Sequence, residues 1–165
     1  MALGKRQVIV FALAAVVALT GVVMSRGEKP ARAPIAVNDP AADMVREMRL
    51  LFQEVADGIR PSLPSTAEDG SITLVDVQAG PHLGMAYSYR VERVLDEAAR
   101  AHFLRETPRL VAEQACAVPE IRDYMEYGTV YRYSYTDREG GELLSFDLDE
   151  AACRRHEAGQ PAIIQ

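Results

Sequence analysis

The stretch that most constrains this chain lies at its start. Val8 to Met24 reads VIVFALAAVVALTGVVM, an apolar run with no charge and one strong hydrogen-bonding side chain, Thr20. As a helix, roughly 17 residues rising ~1.5 Å each span about 26 Å, a little short of a ~30 Å hydrocarbon core. Gln7 and Ser25 extend the run into the interface, and Lys5, Arg6 and Arg26 are placed to snorkel at its ends. A cleavable signal peptide has a shorter apolar region and small residues before the cut. Here the exit is Leu19-Thr20-Gly21-Val22-Val23-Met24-Ser25, and no lipoprotein cysteine follows. The expectation is an uncleaved signal anchor over residues 7–25, in contact with the lipid bilayer, behind a short cytoplasmic N-terminus (1–6). A cleaved peptide is the alternative.

Insertion does not fix direction. Lys5 and Arg6 on one side are nearly matched by Arg26, Lys29 and Arg32 on the other, so the positive-inside count is close to a tie. The two cysteines break it. Cys116 and Cys153 are the only pair in a chain that carries an export signal, and such a pair reads as one disulfide, formed outside the cytoplasm. Two buried free thiols are the alternative; a redox pair or metal site lacks its CxxC. Sixteen of the 18 basic residues are arginine, which by association points to a GC-rich genome, and the layout of the export signal points to a bacterium. The expected address is therefore the inner membrane, single-pass, with the C-terminal domain in the periplasm.

Beyond the anchor, residues 26–38 mix Pro, Ala, Gly and charge without periodicity and read as a linker. An exported domain over 39–157 follows, with a flexible tail over 158–165. Asp39 and Pro40 punctuate a helix start, and Met44, Met48, Leu51, Phe52, Val55 and Ile59 recur at helical spacing until Pro61 and Pro64 end it. A polar turn over 65–71 leads to strands at Ile72–Val77 and Met85–Val91. Glu92 to Glu113 is expected as a helix with Val94, Leu95, Ala98, Ala99, His102 and Phe103 inward, kinked at Pro108 or started afresh there under a Thr107 cap. A short helix from Pro119 should stop at Gly128. Val130–Thr136 and Leu143–Leu148 form a hairpin around Asp137 to Gly141, and Asp149 caps a last helical turn carrying Cys153. The order α-β-β-α-(α)-β-β predicts an α+β domain on a four-stranded antiparallel sheet. Both halves carry Tyr-Ser-Tyr, at 87–89 and 133–135.

Cys116, Pro119, Arg122, Gly128, Tyr131-Arg132-Tyr133, Gly140, Phe146 and Cys153 resemble the C-terminal layout of small exported α+β domains of Gram-negative bacteria, in which a disulfide closes a tyrosine-rich hairpin. The resemblance implies a fold and an address outside the cytoplasm. It implies no activity.

Chemistry is sparse. His82, His102 and His156 have no nucleophile at motif spacing, and neither Gly-x-Ser-x-Gly nor H-E-x-x-H occurs. Asp137, Glu139, Glu142, Asp147, Asp149 and Glu150 match no calcium loop and read as charged hairpin ends. A net charge of -6 argues against nucleic acid as a partner. No catalytic, metal or cofactor site is expected. The most distinctive residues are Tyr87, Tyr89, Tyr131, Tyr133 and Tyr135, on one face of two strands. They either pack under the helices or form a part-exposed surface for a partner or ligand, and solvent exposure of the rings discriminates the two. The function expected is non-enzymatic binding of an envelope protein, in assembly or regulation. A small-molecule or glycan pocket lined by tyrosines is the alternative, and a hydrolase a remoter one.

Overall fold

The structure, a computed structural model, describes residues 40–80 and 83–160. The expected anchor (7–25), the linker, the Asp39 cap and His82 lie outside the described residues. Among the described residues no helix is long and apolar enough to cross a membrane.

Helix α1 spans Pro40–Ile59. Of its expected stripe, Met48, Phe52 and Val55 are buried, joined by Ala56, while Met44 lies at the rim with 36% of its surface exposed. A 3-10 turn at Arg60–Ser62, carrying Pro61, ends the helix, and a two-residue strand β1 (Ser65–Thr66) follows. Strands β2 (Ile72–Ala79) and β3 (Gly84–Val91) come next. Helix α2 (Glu97–Ala115) and helix α3 (Pro119–Glu126) then carry the chain to β4 (Val130–Thr136) and β5 (Glu142–Leu148). Helix α4 (Glu150–Glu157) starts where expected: the Asp149 carboxylate accepts from the Ala152 amide at 2.7 Å.

The domain is α+β, but its sheet corrects the sequence expectation in two ways. It has five strands in the order β1-β2-β3-β4-β5, because Ser65 and Thr66 pair antiparallel with Leu74 and Thr73. Two hydroxyl residues carry no hydrophobic alternation, so nothing in their sequence marks them as a strand. The second correction is direction: β3 and β4 run parallel, so the sheet is mixed. The reason is a length match. Helix α2 has 19 residues, about 28 Å long, and an eight-residue strand is about 26 Å long. One unbroken helix returns the chain to the end of the sheet where β3 began, so β4 must repeat the direction of β3.

The fresh start expected at Pro108 does not occur. Helix α2 runs through it, and the proline ring is fully buried, which offsets the backbone hydrogen bond it cannot make. The helix also starts five residues later than expected. Asp96 caps it by accepting from the Ala99 amide at 2.8 Å, which leaves Val94 and Leu95 in the loop before it. Val94 is 88% exposed, and Ala98 and His102 are exposed as well; the inner face is Phe103, Thr107, Val111, Ala112 and Ala115.

On one face of the sheet α1 packs over β2 and β3, and α2 and α4 pack over β5. That face is the core. The other carries small and polar side chains, including Ala86, Ser88, Ser134 and Ser145, with Arg132 bridging to Asp147 through two 2.7 Å hydrogen bonds.

The parallel pair begins at Gly84, opposite Val130. A Cβ there would overlap the Val130 carbonyl oxygen, and backbone cannot swing aside as a side chain can. Gly84→Ala is expected to cost about 2 kcal/mol or more by prising the two strands apart. Gly58→Ala is the control, because a Cβ at that helical position meets nothing, and it should stabilise by about 0.5 kcal/mol. Thermal melts of both variants check this; a Gly84→Ala melt matching the parent would sink it.

Candidate functional site

The five tyrosines belong to the interior. Tyr87, Tyr89, Tyr131, Tyr133 and Tyr135 retain between 1% and 6% of their surface. The parallel register sets Tyr87 opposite Tyr133 and Tyr89 opposite Tyr135, and the antiparallel register sets Tyr133 opposite Phe146. The rings stack accordingly, with centroids 5.3 Å apart for Tyr87 and Tyr133, 5.0 Å for Tyr89 and Tyr135, and 5.3 Å for Tyr133 and Phe146. Phe103 of α2 meets Tyr135 edge-on, and Phe52 of α1 meets Tyr131 the same way. The repeated Tyr-Ser-Tyr is thus a pair of in-register neighbours. Burial pushes the five phenols far above their ordinary value near 10, with neighbouring tyrosines adding to the effect at Tyr89, Tyr131, Tyr133 and Tyr135. As a docking platform or the lining of a pocket, these rings are not available: aromatic neighbours occupy the space beside them.

Cys116 caps the C-terminus of α2 and Cys153 lies in α4; the two are bonded, with Cα atoms 5.6 Å apart and a separation of 37 positions along the chain. Cys153 is fully buried, its Sγ 3.6 Å from Met125 Sδ of α3, so the bridge gathers three helices. His102 is exposed and His156 half-buried on α4. Four of the six acidic residues of the hairpin region are spent on local structure. Asp137 Oδ1 accepts from the amides of Glu139 (3.0 Å) and Gly141 (2.7 Å), Asp147 pairs with Arg132, Asp149 caps α4, and Glu150 pairs with Arg154. Among the described residues no three His, Cys, Asp or Glu side chains converge as metal ligands would.

What the fold does assemble is a cleft of about 180 Å³ between the loop that joins β3 to α2 and the β4–β5 turn. Arg93, Val94, Leu95 and Arg100 form one wall; Asp137, Arg138, Glu139 and Leu143 form the other. The turn is held by the Asp137 carboxylate, and the Asp137 amide also donates to the Gly141 carbonyl at 2.8 Å. The carboxylates just outside the cleft are already engaged. Glu92 accepts from Thr73 (2.7 Å) and Arg90 (2.8 Å); these contacts, together with the charge of Arg138, hold it below the usual carboxylate range. For Asp69, burial acts to raise the carboxyl, but the hydroxyl and amide of Ser71 and the charge of Arg93 outweigh it and hold it low. Sequence reasoning missed this cleft because it placed Val94 and Leu95 inside a helix. The signal that would have found it is Asp96, an N-cap residue with acidic Glu97 behind it, which puts both apolar side chains ahead of the helix.

No protein-family model matches the chain, and no curated protein matches it in sequence. Its backbone does match solved structures. The pilotin EpsS of the Vibrio vulnificus type 2 secretion system superposes with a TM-score of 0.55 at 14% identity, over 68% of this chain and 96% of that one. The Vibrio cholerae type II secretion system pilotin AspS gives 0.53 at 18% identity, over 68% and 97%. This chain shares their fold. A Pseudomonas aeruginosa protein described as secreted gives 0.52 at 16% identity, over 67% and 96%. Each neighbour is covered almost end to end, so the shared unit is a whole domain.

Proposed function

We propose that this chain is an exported envelope protein whose folded domain binds a protein component of a secretion apparatus, in a non-enzymatic assembly or regulatory role. The single observation that supports it is the domain-long likeness to two type II secretion pilotins. The bridge between Cys116 and Cys153 fits an oxidising compartment such as the periplasm. In this reading residues 7–25 stay in the inner membrane as a single-pass anchor, and the linker over 26–38 gives the domain reach.

The test uses the native membrane. Cells are treated with a bifunctional crosslinker, the chain is isolated from the membrane fraction, and its intact mass is taken with and without reductant. The expected result is the uncleaved chain, gaining two hydrogens on reduction, joined to one recurrent envelope protein. A cytosolic chain with both thiols open to alkylation, or a chain that stays monomeric through repeated crosslinking at intact membranes, would overturn the proposal.

A further inference from the structure

We infer that the partner docks along the open edge of β5, adding an extended segment to the sheet, and that this segment carries a lysine or arginine at each end of an uncharged stretch. The inference rests on the protein-binding reading above and goes on to name the surface and the chemistry it recognises.

The two edges of the sheet are not alike. At one, β2 is covered by the two-residue β1, which follows Pro64, and a bulge between Leu74 and Asp76 disturbs the rest of the strand. Short edge strands, prolines and bulges are the devices by which sheets refuse a further strand. At the other edge, β5 runs in unbroken register with β4 from Leu144 to Leu148 and holds no proline. Among the described residues its backbone bonds to no segment other than β4. Every second residue of β5 therefore turns its amide and carbonyl outward, and these are the donors and acceptors that an added strand uses. The edge is also firmly backed. Leu144, Phe146 and Leu148 retain between 2% and 5% of their surface, because α2 and α4 pack over β5. An added strand then gains affinity from main-chain hydrogen bonds and selectivity from what it meets at its ends.

Charge sets the chemistry of the occupant. Between Arg138 and Arg154 the chain holds five carboxylates, Glu139, Glu142, Asp147, Asp149 and Glu150, and no basic residue. Asp147 is paired with Arg132 and Glu150 with Arg154, and the arginines of the neighbouring cleft offset Glu139. Glu142 and Asp149 have no ion pair among the described residues; Asp149 accepts the Ala152 amide, a neutral donor. These two acids stand at opposite ends of β5, seven positions apart, or about 23 Å along an extended chain. A segment lying on this edge with basic residues at the same spacing meets both. Its middle lies beside Leu143 to Leu148, where the one acid, Asp147, is already neutralised. The field of the whole domain acts in the same sense: over residues 40–160 acidic side chains outnumber basic ones by 22 to 13, which draws a cationic partner in.

The experiment places a photo-reactive amino acid at Ser145, in the middle of β5, in the full chain and in native membranes. The crosslinked peptide is sequenced by mass spectrometry, and the trap is repeated in a Glu142→Gln/Asp149→Asn background. Asparagine caps a helix about as well as aspartate, so this variant should melt like the parent. In parallel, the full chain in lipid nanodiscs is titrated with a blocked eight-residue peptide, alternating threonine and valine between terminal lysines, and with the same peptide ended in glutamates. Amide exchange is followed over the sheet. The expected results are a trapped segment of another envelope protein with basic residues flanking an uncharged stretch, and a lysine peptide bound about ten-fold tighter than its glutamate counterpart at low salt. Exchange should slow over 143–148 and stay unchanged in β1 and β2. Neutralising Glu142 and Asp149 should remove the preference for lysine, and added salt should weaken it. Equal affinity for the two peptides, binding without slower exchange over 143–148, a trapped segment lacking basic residues, or a crosslink to lipid, to a second copy or to the chain's own residues 26–38 would overturn the inference. If the bifunctional reagent still recovers the partner while position 145 traps nothing, the binding function stands and this edge is wrong.

Discussion

Above pH 10 the domain is expected to lose stability steeply, by about 1.4 kcal/mol per pH unit for each of its five buried tyrosines. The sign follows from where the protons are held. In the unfolded chain these phenols ionise near their ordinary value of about 10. In the folded domain burial holds all five protonated well beyond that. The folded state therefore binds more protons than the unfolded state in this window. The stabilisation is fully present below about pH 10 and drains away as the pH climbs toward the raised folded values. Five such groups exhaust a typical ~5–15 kcal/mol within one or two pH units. Denaturant melts stepped from neutral to alkaline pH check the slope, with phenolate absorbance recorded alongside. The phenolates should appear together with the loss of near-ultraviolet circular dichroism, and Tyr133→Phe should flatten the slope by about one fifth. Gradual ionisation of these five in a domain that stays folded would refute the claim.

Replacing both cysteines, Cys116→Ala with Cys153→Ala, should cost about 4 kcal/mol in the chain-entropy account, since the bridge spans 37 residues. For a domain of this size that lowers the melting temperature by on the order of 15 °C. The loss should also have a location. The bridge fastens α4 to the end of α2, with Met125 of α3 against it, so amide exchange should quicken first over 150–157 and 119–126. A double variant that melts within a few degrees of the parent, with α4 equally protected, would show that helix packing alone holds this corner.

Much of the architecture was legible along the chain, for reasons that are local. Pro40, Pro61, Gly128 and Asp149 bound their elements as the chemistry of caps and breakers requires, and the apolar alternation of Met85 to Val91 and of Val130 to Thr136 marks two strands. Phe52 and Val55 read as core at helical spacing and are core. The errors share a different character. Ser65 and Thr66 become a strand only because Thr73 and Leu74 lie alongside, with the Thr66 and Thr73 hydroxyls 3.0 Å apart. Pro108 is tolerated because its ring is enclosed by the core, which no local rule can see.

The candidate site divides in the same way. Tyrosine clustering was visible in the sequence, but not whether the rings face helices or solvent; two helices deliver Phe52 and Phe103 against them and close the question. The arginine cleft was invisible, because its walls come from stretches far apart in the chain and meet only when β3 and β4 lie side by side.

By itself the sequence determined the helices and four of the five strands, and the burial periodicity within most of them. These depend on interactions within a few residues of one another, where backbone preference and hydrophobic spacing decide. Only the tertiary structure decided the direction of β4, the interior placement of the tyrosines and the meeting of Arg93, Arg100 and Arg138. Those depend on how far α2 carries the chain before it turns back, and a length match between a helix and a strand is a property of the assembled molecule.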